Sequence, residues 1–177
     1  MDRIFSLIFM NSEIDVTSID HKKLRPLITK LIKKIKKDEV IQKMFKDYKV
    51  SLDELDLVPI CFAEIPVSAR TDHGVIFLNI DLLKEGNFEE ENDHYLIHEL
   101  THFLQQTTGN RPTKGSDDDS YLDNPVEQEA FQNQTEYVSE NKGEGVAERY
   151  VSNLLDHHEV KGKDRAEKFE ELLKRDF

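Results

Sequence analysis

The sequence predicts an α+β fold in which a small, mainly antiparallel sheet packs against one amphipathic helix and several further helices. Three observations lead there. Apolar residues recur at helical spacing from Leu24 to Tyr48, and two stretches rich in β-branched and aromatic residues follow, at residues 55–67 and 74–83. From Asp93 onward only helical patterns recur. Strands gathered together and then helices alone point to helices segregated to one side of a sheet. At 177 residues the chain suits one ordinary domain spanning residues 1–177.

The opening MDRIFSLIFMNSE reads as a packed strand or helix, because it lacks the basic lead-in and small-residue cleavage site of a secretion signal. Leu24, Leu27, Ile28, Leu31, Ile32 and Ile35 then mark a helix that continues through Val40, Ile41, Met44, Phe45 and Tyr48, with Pro26 in its first turns. The two β-rich stretches, LDLVPICFAEIPV and GVIFLNIDLL, predict a pair of strands, a hairpin joined by the polar SARTDHG. Pro59 and Pro66 push the first toward a sheet edge or toward strand ends. After the loop KEGNFEEEND, Asn92 or Asp93 caps a helix that Gly109 ends in a left-handed conformation. NRPTKGSDDDSYLDN reads as a long loop. Asn124 and Pro125 open the next helix, Gly143 and Gly145 break it, and two closing helices lie around Gly162.

Composition excludes several classes of function. A net charge of −12 disfavours a surface that wraps nucleic acid. One local exception is the helix between His21 and Lys37, which carries Lys22, Lys23, Arg25, Lys30, Lys33, Lys34, Lys36 and Lys37; a solvated basic face is the plainer account and a surface for an anionic partner the sharper one. The single Cys61 permits no internal disulfide and favours a cytoplasmic protein; it lies in an apolar run and reads as a buried small hydrophobe. No stretch is apolar and long enough to span a bilayer. The acidic run SDDDS lacks the spaced oxygen ligands and glycine of a calcium loop and reads as a solvated segment, a candidate flap.

Chemistry concentrates in DHYLIHELTHFLQQTTG, residues 93–109. Taking Leu96 as the origin at about 100° per residue, Ile97, Leu100, Phe103 and Leu104 lie within about 100° of it, whereas His98 and His102 fall near about 200° and 240°. The helix should therefore bury one side and present both imidazoles from the other. His98-Glu99-Leu100-Thr101-His102 is the H-E-x-x-H pattern: histidines four apart stack one turn above each other and can reach one Zn²⁺. The glutamate between them reaches a metal-held water rather than the metal.

Such a centre needs a third ligand. The longer H-E-x-x-H-x-x-G-x-x-H form is excluded, since Gln105 replaces the glycine and Thr108 the last histidine. The remaining common solution is a carboxylate from a later helix. NPVEQEAF offers Glu127 and Glu129. With Val126 at the origin, Glu127 falls near about 100°, inside the arc of Val126, Ala130, Phe131, Tyr137 and Val138, and Glu129 near about 300°, outside it. An acid on the inward face is costly unless a cation meets it, so Glu127 is the expected ligand and Glu129 the second choice or a supporting partner.

His98-Glu99-Leu100-Thr101-His102 followed by Glu127-Gln128-Glu129-Ala130 resembles the gluzincin class of zinc metallopeptidases, and within it the small, minigluzincin-like members found in bacteria and phages. The resemblance spans roughly residues 74–138, a minority of the chain. It implies a zincin-like fold in which an edge strand beside the active-site helix holds an extended polypeptide substrate, with GVIFLNIDLL in the right place. It implies Zn²⁺ held by His98, His102 and Glu127, a zinc-activated water, and Glu99 as general base in peptide-bond hydrolysis. Many relatives carry Asp or Asn four residues after the ligand glutamate to orient a histidine; Phe131 stands there here, so that bond must come from elsewhere.

Tyr121, Tyr137 and Arg149 are candidates for a further oxyanion donor, and Tyr95 and Tyr121 for the substrate cleft. No spacing ties His73, His94, His157 or His158 to the pair. Two rival readings stand beside the hydrolase: a non-catalytic zinc-bound interaction module, and a protease acting on DNA-associated proteins, against which the acidic surface and the absence of zinc-finger cysteines count.

Overall fold

A computed structural model of the chain describes residues 14–84, 88–109 and 121–173. The opening MDRIFSLIFMNSE and the SDDDS segment lie outside the described residues. The protein is α+β, mainly helical, with a three-stranded mixed sheet among the described residues. It divides into two compact units, Met1–Thr113 and Lys114–Phe177.

The first unit opens with α1, His21–Ile35, whose N-terminus is capped by the Asp20 carboxylate accepting from the Lys23 N–H. The single long helix expected through Tyr48 is in fact two. Asp38 takes an extended conformation and its carboxylate accepts from the N–H groups of Val40 and Ile41, which ends one helix and starts α2, Glu39–Asp47. A side chain competing for backbone donors outweighs the continuous apolar period. Lys34 of α1 pairs with Asp93, and Lys36, which caps the end of α1, pairs with Asp53 and Asp56. The two carboxylates hold the Lys36 ammonium above its ordinary pKa.

The sheet departs from the expected hairpin. A 3-10 turn at Leu52–Leu57 takes up the start of the first β-rich stretch, leaving β1 at Ile60–Ala63. The supposed polar connection contains β2, Ala69–Asp72, and β3 follows at Val75–Asn79. The order is β1-β3-β2, with β1 parallel and β2 antiparallel to β3. The sheet is therefore mixed rather than mainly antiparallel. GVIFLNIDLL supplies the central strand, not an edge: Val75 to Leu78 are all buried. The hairpin that does form joins β2 to β3 through His73 and Gly74, both at positive φ (49° and 72°). That is the turn geometry matched to the twist of two strands, and glycine meets it at the second position without a steric penalty.

Val75 and Phe77 share one face of β3 with Cys61, Ala63 and Ile65, and pack against Ile14 and Val16. By pleat alternation Ile76 and Leu78 look the other way. A short helix α3, Phe88–Glu91, leads to α4, His94–Thr108, which packs against β2, β3 and α2.

The second unit is helical: α5 is Pro125–Lys142, α6 Glu144–His157 and α7 Gly162–Leu173. Leu122, Phe131, Val151, Leu155 and Leu172 form its core. Asn124 caps α5 through the Val126 N–H at 3.0 Å, with Pro125 in the first turn as its spacing predicts. Among the described residues no helix is long and apolar enough to cross a membrane.

Candidate metal centre

Helix α4 carries both histidines and the glutamate between them. It ends at Gly109 with φ 67°, the expected left-handed cap. Its start differs from expectation: Asp93 makes no side-chain cap bond. Its fully buried carboxylate instead meets the Lys34 ammonium at 2.6 Å, anchoring the helix to α1. Thr101 is also fully buried, and its hydroxyl donates to the Ile97 carbonyl at 3.2 Å and lies against the Met44 sulfur of α2.

The polar side of α4 is not an open face. His98 is 7% and Glu99 6% exposed, Gln105 is fully buried, and His102 is half-buried. One-turn spacing places the imidazoles so that His98 Nε2 and His102 Nε2 stand 3.1 Å apart. His102 Nδ1 lies 2.9 Å from Gln105 Oε1.

Glu99 is held by β2. The Thr71 hydroxyl donates to Glu99 Oε2 at 2.7 Å and lies 2.9 Å from the Glu99 carbonyl. The register explains why Thr71 is available. Its partner Ile76 donates its N–H to Pro59 on the β1 side, so the pair is not hydrogen-bonded and Thr71 turns its own backbone groups outward. Gln106 uses that exposure: its amide donates to the Thr71 carbonyl at 3.3 Å and accepts from the Gly74 N–H at 3.2 Å. The edge strand beside the helix is thus β2, fastened to α4 at both Glu99 and Gln106.

Glu127, in the first turn of α5, is 5% exposed. One ligand atom each from His98, His102 and Glu127 lies within 4.8 Å of the others, so this buried group could hold a metal ion. Two imidazoles and a carboxylate are a donor set suited to a divalent cation, and the carboxylate supplies charge that two neutral rings lack. Glu129 is half-buried and is not in the group.

The other sequence candidates fall elsewhere. Tyr95 is half-buried with its ring 4.3 Å from that of His94. Tyr121 stacks on His158 at 5.3 Å and packs edge-on against Phe131 in the second unit's core, a structural setting. Burial and the neighbouring His157 ring lower the His158 pKa. Tyr137 is buried, Arg149 is exposed, and His73 is an exposed turn residue against Asp72. Cys61 is buried, which pushes its thiol up to about 12.

Two residues of the site escaped the sequence reading. Gln105 follows His102 by three, on the same helical face, and that spacing is a usable signal. Thr71 left none, because a half-buried polar strand has no apolar alternation to mark it.

Comparison with protein-family models, with curated proteins and with solved structures finds no match for this chain.

Proposed function

We propose that the protein is a zinc-dependent metallopeptidase of gluzincin type, with His98, His102 and Glu127 as ligands and Glu99 as general base. The observation that carries the reading is the convergence of the two imidazoles and the Glu127 carboxylate within 4.8 Å, beside a glutamate outside the group. Two nitrogens each about 2.05 Å from a tetrahedral zinc stand roughly 3.3 Å apart, and the ring nitrogens are at 3.1 Å. Bound zinc supplies Lewis acidity, polarising a carbonyl and lowering the pKa of water.

The chain's own residues do the rest. Glu99, one position after a ligand, accepts the proton of the attacking water and hands it to the leaving amine. Thr71 fixes one carboxylate oxygen of Glu99, Oε2, and leaves the proton-transfer role to Oε1. The outward backbone of β2 orients an extended polypeptide alongside α4, with Gln106 already occupying the Thr71 carbonyl.

One observation favours a second reading, a non-catalytic metal-bound interaction module: His98 and Glu99 are almost wholly covered, as in closed structural sites. A purely structural site has little use for a carboxylate that does not bind the ion. The two readings part in one experiment: metal analysis of wild type and Glu99→Gln alongside a broad peptide-library digest. The hydrolase retains one zinc per chain in both proteins and cleaves only as wild type. Zinc in both with cleavage in neither favours the module, and absence of metal removes both readings.

A further inference from the structure

We infer that Gln105 is the positioning residue that fixes the ring and proton of His102 for the cation, a role the resemblance leaves without an occupant at Phe131. The inference rests on the metal-centre reading above. Phe131 is buried in the helical core of the second unit and has no hydrogen bond to give. Gln105 is fully buried, and its amide oxygen sits 2.9 Å from His102 Nδ1. An amide oxygen only accepts, so Nδ1 is the protonated nitrogen and donates. The neutral ring then keeps a bare lone pair on Nε2, the atom that faces His98 Nε2 at 3.1 Å. Both residues stand on α4 three positions apart, a spacing that brings their side chains together on one face of the helix.

Choosing an amide has a chemical consequence. A carboxylate in this position would add a negative charge behind the ring and raise its basicity. With glutamine there no charge is added behind the ring, and two neutral imidazoles plus the Glu127 carboxylate would leave a divalent ion with a net charge of about +1. On this reading a glutamine in place of a carboxylate would favour a more strongly polarising cation over tighter binding.

The test is zinc affinity by chelator competition for wild type, Gln105→Leu and Gln105→Glu, with ¹⁵N NMR of the His102 ring in zinc-free protein. Circular dichroism checks that helix content is kept. Removing the acceptor should weaken zinc binding roughly 10- to 100-fold, and Gln105→Glu should bind at least as tightly as wild type. The Nδ1–H tautomer should dominate in wild type and lose its dominance in the leucine variant. Equal zinc affinity in wild type and Gln105→Leu, or an Nε2–H tautomer in wild type, overturns the inference and leaves the metal centre standing. A wild type that binds no zinc overturns both.

Discussion

Replacing Thr71 by valine isolates the contact between the sheet and Glu99. Valine keeps the branched shape that a strand accepts and deletes only the hydroxyl. The lost bond runs 2.7 Å to a carboxylate that is 6% exposed. Hydrogen bonds to charged groups contribute about 1.5–3 kcal/mol and neutral ones about 1. Because Thr71 is itself half-buried, the middle of the charged range applies, and we expect a loss of roughly 2 kcal/mol in urea unfolding with an unchanged slope. The charge dependence is checked by repeating the substitution in Glu99→Gln, where the cost should fall to about 1 kcal/mol and leave a coupling of similar size. A cost below about 0.5 kcal/mol in wild type, or one of equal size in both backgrounds, refutes the view that Thr71 carries the Glu99 carboxylate.

Other perturbations reach separate parts of the fold. Lys34→Met leaves the buried Asp93 carboxylate without its ammonium; the lysine is 42% exposed, so the loss should lie between surface and buried pairs, near about 2 kcal/mol. That corresponds to a fall in Tm of about 4–8 °C, read by calorimetry. Gly109→Ala forces a side chain into φ 67° at the end of α4 and should cost about 1 kcal/mol in the same assay. Cys61 has a folded pKa of about 12 against 9.0 in the open chain, so the thiol stays neutral in the native state. Its contribution is fully present below pH 9 and is lost as pH rises toward 12; the three-unit gap is worth about 4 kcal/mol. Native protein at pH 8 should resist a disulfide reagent and react only on unfolding. His98→Ala should abolish metal retention on dialysis while far-ultraviolet circular dichroism is kept.

What could be read in advance was local. The H-E-x-x-H spacing, the Gly109 stop and the Asn124-Pro125 start each depend on a few adjacent residues, and each has a fixed geometric meaning. The helix break at Asp38 was equally local but was masked by apolar residues that keep their period across it. The sheet was legible only in part, because pairing is a property of distant segments. Nothing in ICFA says that it runs parallel to VIFLN, and ARTD looks like a turn because its side chains are half-exposed along the whole strand. The burial of His98 and Glu99 was also hidden: a helical wheel separates polar from apolar faces but does not say what else lies near the polar one.

The contact between Lys34 and Asp93 has a practical corollary. The ε-amine is open enough to meet small acylating reagents, yet its partner is wholly enclosed at the start of the helix that bears both histidines. Amine-directed dyes, crosslinkers or surface immobilisation chemistries would neutralise that ammonium and loosen the helix origin. Labels for this protein therefore belong on another handle, such as a cysteine introduced at exposed Asn153.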